Sequence, residues 1–323
     1  MMASRDTERG ATLLSVLAIV MLMSVAAVAA TDALARSVAL AKSSGARAET
    51  FWTARGAAEA AAAYLDRAYE ATGGRFNDET ELFTQPVILP AGHGVVSFQV
   101  REASNCFNLN AMLEDATVGD NQLSAYASLL VAAGINEAEA RSLSEKLADW
   151  IDSDSTSRTY GAERGYYASL AEPYRPADRR LRSLSELRTI AGYDPDVLEK
   201  IGGLVCLRPG IAQPALNINT LTEANAVLLT GLFSEELSDS DARELIAARP
   251  PRGWPDVETF LLEPAVARIA PMARRDGALS VASDWLEADI DIGTGDLATS
   301  YRALYGRDGN GKLSLGSMVR RDF

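Results

Sequence analysis

The stretch Asp152-Ser-Asp154-Ser-Thr156-Ser157-Arg158-Thr-Tyr160-Gly-Ala-Glu163 is a twelve-residue window with acids at its first, third and twelfth positions and a hydroxyl at its fifth. Those are oxygen-ligand positions of an EF-hand loop, where the carboxylate at the twelfth position grips Ca²⁺ through both oxygens. The match is partial. Ser157 replaces the sixth-position glycine that makes the sharp turn, and Tyr160 replaces an acid at the ninth. The window therefore reads as a calcium-type oxygen cluster of similar spacing, not as an EF-hand. Oxygen donors alone suit Ca²⁺ better than zinc or copper. Asp178, in the loop that follows, is a candidate fourth ligand. Asp149 is either another ligand or a charge on a helix surface. The competing reading of these acids is a polar loop whose carboxylates cap helices and face water.

Other chemistry is bounded by scarcity. His93 is the one histidine, so two-histidine zinc sites are excluded, and any imidazole base must be that residue. It lies in a turn after Pro90 and Gly92, where it reads as an exposed loop residue. No nucleophile–base pair is evident, and no catalytic residue is assigned. The net charge of −13 opposes general nucleic-acid binding. A stretch resembling helix-hairpin-helix patterns, from Leu216 to Leu261, therefore reads as a packing scaffold despite Arg249, Arg252, Arg274 and Arg275. Cys106 and Cys206 flank a helical block. They form a disulfide if the chain folds in an oxidising compartment, or remain two buried thiols if it does not.

These groups need a frame. Ala11 to Ala30 is a run of twenty uncharged residues, long enough for a membrane-spanning helix. A secretory signal peptide cleaved near Ala30, a plain anchor, and a prepilin-type leader ending in Glu8-Arg9-Gly10 all fit that segment. The alanine-rich stretch beyond it lacks proline and continues as helix up to Gly73-Gly74. Gly94 to Arg101 reads as a strand, with Pro90 and Gly92 breaking the chain before it.

Helical pattern then predominates, with helices predicted over 123–133, 137–151, 185–190, 221–233, 239–248 and 256–262. Capping-box spacing occurs at Ser142/Glu145, Ser183/Glu186 and Thr220/Glu223, the first inside a predicted helix. Strands return over 279–282, 284–292 and 312–319, with a turn at Asp308-Gly-Asn-Gly311. Phe107-Asn-Leu-Asn110 and Leu216-Asn-Ile-Asn219 echo each other, and Asn110 and Asn219 are candidate N-caps. The order of elements predicts an α+β fold in which a helical insertion interrupts one sheet.

The glycine-terminated leader, FNLNAML, ADWIDSDSTSRTYGAERGYY, PYRPADRRLRSLSELRTIAG and NINTLTEANAVLL occur in the order typical of one family. Together they resemble the type II secretion system protein K family of large minor pseudopilins, over nearly the whole chain. The resemblance implies a type IV pilin-like fold, a long N-terminal helix plus antiparallel sheet, with a large all-α insertion. It implies a leader over 1–10, a transmembrane segment over 11–32, a pilin-like helix and first strands over 33–108, the insertion over 109–275 and closing strands over 276–323. It implies cleavage by a prepilin peptidase between Gly10 and Ala11, methylation, and a single pass through inner-membrane lipid with the globular part in the periplasm. Calcium bound in the insertion is implied, as is a place at the pseudopilus tip with minor pseudopilins I and J. One departure concerns most pilin-like proteins, which carry Glu at the fifth mature position; here it is Ser15. A type IV pilus or competence minor pilin, and a secreted calcium-dependent module, are the alternatives.

Overall fold

The computed structural model describes residues 4–91, 94–114, 117–210, 212–234, 236–269, 277–294, 297–307 and 311–321. His93, Arg274, Arg275 and most of the turn at 308–311 lie outside these. The chain divides into two compact units, Met1–Gly56 and Ala57–Phe323.

Helix α1 runs over Ser4–Thr72. In the first unit it exposes Leu13, Leu17, Val20, Leu22 and Met23. Its apolar part has a mean hydropathy of 2.7 in the best 18-residue window, with none of that window buried. By length and composition this helix is able to cross a membrane. The Ser24 and Thr31 hydroxyls donate to the carbonyls of Val20 and Val28 of the same helix, which keeps them satisfied in an apolar medium.

In the second unit, α2 (Glu81–Thr84), β1 (Val87–Ala91) and β2 (Gly94–Glu102) follow. The chain then leaves the sheet for an insertion containing α3 (Asp120–Ala132), α4 (Glu137–Ile151), α5 (Arg164–Ala168), α6 (Pro195–Ile201), α7 (Val227–Leu232), α8 (Asp239–Ala247), α9 (Val257–Leu261) and α10 (Pro264–Ala267). It returns through β3 (Trp285–Thr294), β4 (Leu297–Arg307) and β5 (Leu313–Arg321). The five strands pair antiparallel in the order β1-β2-β3-β4-β5. The insertion thus interrupts two neighbouring strands, leaving after Glu102 and re-entering at Trp285, with Glu102 opposite Leu286.

Alternation explains the sheet. Val96, Phe98 and Val100 on β2 and Leu286, Ala288, Ile290 and Ile292 on β3 are buried, as a period of two requires when one face is covered. Within this unit the cover includes Ala57, Ala58, Ala61, Ala62 and Leu65 of α1, small side chains that permit close approach. Tyr305 on β4 donates its hydroxyl to the Ala58 carbonyl at 3.1 Å, and the Leu313 amide donates to Asp66 Oδ1 at 3.0 Å. The opposite face carries Arg101, Glu287, Asp289, Arg302 and Arg321 as cross-strand ion pairs of 2.9–3.1 Å.

The insertion has its own core, built around Tyr126, Leu130, Leu143, Leu147, Tyr167 and Phe233. Two short parallel pairings tie it together: Phe107–Asn108 with Val205–Cys206, and Leu216–Asn217 with Leu279–Ser280. The sequence expects Leu279 in a strand of the main sheet; it pairs with Leu216 instead, and the chain between β2 and β3 runs over 103–284. β1 also forms where Pro90 argued for a break. It is an edge strand, so the missing proline N–H removes no ladder bond needed by a neighbour.

Candidate metal centre

Helix α4 begins at Asn136, whose side chain accepts from the Glu139 amide. Along its buried face it presents Glu145 and Asp149, one turn apart, and Asp152 just past its end. Glu145 Oε2 accepts from the Tyr160 amide at 2.7 Å, and Oε1 from Arg141 Nε at 3.1 Å. The Arg141 guanidinium lies 5.1 Å from the centre of the Tyr160 ring. Asp149 Oδ2 accepts from the Arg158 amide at 3.2 Å and the Ser157 hydroxyl at 3.4 Å. Asp149 is fully buried, so it is not a helix-surface charge. Two carboxylates of one helix thus hold the loop that carries the remaining acids.

That loop brings Asp152, Asp154 and Glu163 together, with one carboxylate oxygen of each lying within 4.8 Å of the others. This is a span that oxygens at about 2.4 Å from a single Ca²⁺ can reach. Asp152 and Glu163 are buried and Asp154 is exposed. Both oxygens of Asp152, and Glu163 Oε1, are buried without a hydrogen-bond partner. Buried polar atoms are ordinarily paired, so these unpaired oxygens, lying close together, are candidates to hold a cation. The donors are all oxygen, which fits Ca²⁺. Burial, and next Asp154, push the Asp152 carboxyl up to about 7, against the lowering effect of Arg158. Burial also raises Glu163, against the Arg164 amide that its side chain accepts, and Asp149 and Asp178 raise it further.

Arg158 is the local counter-charge, with Nη2 3.5 Å from Asp152 Oδ2 and Nε 3.7 Å from Asp149 Oδ1. One guanidinium among four carboxylates leaves an excess of negative charge in a partly buried pocket, a costly arrangement unless a cation joins it. Asp178 stands outside the triplet and pairs with Arg164 at 3.5 Å. Its backbone is left-handed, at φ 47°, with its amide on the Trp150 carbonyl at 3.1 Å. At the fifth position of the loop, the Thr156 amide donates to Asp154 Oδ1 at 2.7 Å. Sequence reasoning missed Glu145 and Gly161. A Cβ at Gly161 would lie 1.9 Å from Asp149 Oδ2, so only glycine lets the loop close over the helix. The signal available was the i, i+4 spacing of Glu145 and Asp149.

Cys106 and Cys206 are joined by a disulfide across 100 residues, beside the Asn108–Cys206 pairing. Asn110 and Asn219 are not N-caps. The N-cap of the 3-10 turn at Leu109–Met112 is Asn108. Ser183 and Glu186 form the expected capping box, whereas Thr222 with Asn225 replaces Thr220 with Glu223. Thr220 donates instead to Glu102 Oε2 at 2.8 Å, where the insertion leaves the sheet. Arg249 donates to the Leu221 carbonyl at 2.8 Å and to Asp78 at 3.1 Å.

A long N-terminal helix, an antiparallel sheet covered by that helix's last turns, and an α-helical block inserted between neighbouring strands define a pilin-like subunit enlarged by an insertion. The family described as "Type II secretion system (T2SS), protein K" matches residues 105–210 and, in a second part, 216–282. The two parts begin just ahead of the two Asn-x-Asn segments, at 105 and 216. The type II secretion system protein K of Pectobacterium carotovorum subsp. carotovorum is 32% identical over 93% of each chain. That of Klebsiella pneumoniae is 31% identical over 97% of this chain and 96% of its own. The crystal structure of the GspK-GspI-GspJ complex from enterotoxigenic Escherichia coli contains a chain of similar fold. It has a TM-score of 0.69 and 26% identity, covering 86% of this chain and 99% of that one. The chain belongs to the type II secretion system protein K family.

Proposed function

We propose that this chain is a minor pseudopilin of the type II secretion system, a structural, non-catalytic subunit at the tip of a periplasmic pseudopilus that assists protein export across the outer membrane. The observation that carries the reading is the two-part insertion between β2 and β3 of a pilin-like frame, in a chain whose family match covers both parts. In this reading α1 anchors the subunit in the inner membrane after the prepilin peptidase cuts between Gly10 and Ala11. Pseudopilins I and J are its partners, just as the similar chain was crystallised in a GspK-GspI-GspJ complex. Ser15 at the fifth mature position offers no carboxylate to the terminal amine of a subunit ahead of it, which suits the first place in a filament.

Co-expression with the I and J pseudopilins of the same system tests the assignment. A stable three-chain complex is expected. Recovery with type IV pilus subunits, and not with I and J, would make the chain a minor pilin instead. Mass spectrometry should give a mature chain starting at Ala11.

The second part of the proposal is a structural Ca²⁺ held by Asp152, Asp154 and Glu163, with Asp178 adjoining. It rests on the orphaned carboxylate oxygens converging in one pocket. Calorimetric titration of the full chain in neutral detergent should show Ca²⁺ binding that Asp154→Ala and Glu163→Ala weaken. Unchanged binding by both variants removes them as ligands.

A further inference from the structure

The chain carries a formal charge of −13, yet one stretch of the insertion has the opposite sign. Arg175, Arg179, Arg180, Arg182 and Arg188 are all exposed. Arg179 pairs with Glu186 at 3.3 Å. Arg179, Arg180 and Arg182 line an open hollow of about 520 Å³ together with Arg208 and Asn110.

The hollow is preorganised. Asn110 Nδ2 donates to the Leu181 carbonyl at 3.0 Å, and the Leu181 amide donates to Asn110 Oδ1 at 2.9 Å. Leu181 is buried, so Arg180 and Arg182 emerge on either side of a fixed backbone point. Arg208 is fixed as well: its Nε and Nη2 donate to the Ala103 carbonyl at 3.0 and 2.6 Å. The same segment already takes a carboxylate. Glu186 Oε1 accepts from the amides of Arg182 and Ser183 at 2.7 and 3.1 Å, and Oε2 meets Arg179 Nη1.

We propose that this hollow docks a carboxylate-rich segment of another protein. Guanidinium forks match carboxylates in geometry as well as charge. On a chain of net negative charge, a local positive patch steers and orients an acidic partner. A short acidic segment ends within the hollow. A nucleic acid or an anionic bilayer extends its negative charge beyond it, onto the acidic remainder of the surface.

The test uses the full chain in neutral detergent at fixed Ca²⁺, with a fluorescently labelled oligo-glutamate peptide followed by anisotropy. Binding should weaken with rising salt and fall about tenfold or more in the double variant Arg180→Glu/Arg182→Glu. It should persist in Arg243→Glu, a charge reversal on α8. If the double reversal lowers the thermal midpoint, Arg180→Gln/Arg182→Gln replaces it, with a smaller loss expected. Equal binding by parent and hollow variants overturns the proposal. So does an oligonucleotide, or a vesicle of anionic phospholipid, that displaces the peptide more effectively than unlabelled oligo-glutamate does.

Discussion

Asn110 and Asn219 perform the same task in the two halves of the insertion. Each carboxamide donates to the carbonyl and accepts from the amide of one distant residue, Leu181 for Asn110 and Trp254 for Asn219, at 2.8–3.0 Å. In each half the preceding asparagine, Asn108 or Asn217, accepts from the amide of the second. A planar carboxamide with one donor edge and one acceptor edge imitates a strand partner where no strand is available. The two Asn-x-Asn segments are therefore the roots on which both halves are built. Gly253 accommodates the second one: its φ is +71°, and a Cβ there would lie 2.6 Å from the Asn219 side chain.

Removing either carboxamide leaves a buried amide and carbonyl unpaired. Asn110→Ala and Asn219→Ala should each destabilise the chain by about 2–4 kcal/mol. Asp at either position should cost more than Ala at neutral pH, since a buried carboxylate cannot donate and sets a charged oxygen against the carbonyl that the carboxamide served. Urea unfolding followed by tryptophan fluorescence measures both. A change below about 0.5 kcal/mol would show these bonds to be dispensable.

The acidic pocket gives stability a pH dependence of unusual sign. The Asp152 carboxyl rises to about 7 in the folded chain, and Asp149 and Glu163 also rise, chiefly through burial. A folded state that binds more protons than the unfolded chain loses stability as pH rises. Without divalent cations the thermal midpoint should therefore fall as pH rises from the ordinary carboxylate range toward about 7. Saturating Ca²⁺ should offset that loss, because it takes the place of the protons. Calorimetric scans with chelator and with Ca²⁺ test this; a chelated protein that becomes steadily more stable over that range contradicts it.

Gly161→Ala should act on the same pocket from outside the ligand set. The new methyl group collides with Asp149 Oδ2, so the loop must lift away from α4. We expect Ca²⁺ affinity to fall at least tenfold, with the circular dichroism of the helical insertion retained. Parental affinity in this variant would mean that loop closure is not needed for binding.

The disulfide closes a loop of 100 residues. In the chain-entropy description such a loop contributes up to about 4–5 kcal/mol, and commonly less. Reduction, or Cys106→Ser with Cys206→Ser, should lower the unfolding midpoint in urea by a matching amount. A midpoint insensitive to reductant would show that the Asn108–Cys206 pairing and its surroundings hold the two segments without the bond.

Much of this was legible in the sequence for local reasons. Helix α4 follows the predicted 137–151 because its apolar spacing and its Asn136 cap agree. The clustered acids Asp152, Asp154 and Glu163 were legible because they are close in sequence, so spacing alone brings them near one another. Asp149 was ambiguous because a charge near the end of a helix reads the same whether a loop covers it or water does. The short helices α5, α6 and α10 went unpredicted because one or two turns hold too few residues to show a period.

The sequence by itself determined the elements: one long N-terminal helix, alternating strands, a helical block between them, an acidic loop and two cysteines. Each is a matter of period, propensity or near neighbours along the chain. Only the tertiary structure decided that β2 and β3 are adjacent with the whole insertion between them. It also turned two asparagines from caps into cross-links, and buried Asp149 and Asp152 so that a loop of acids became a pocket with orphaned oxygens. Those outcomes depend on which distant backbone groups and charges are excluded from water together, and burial of that kind is a property of the packed chain, not of any segment of it.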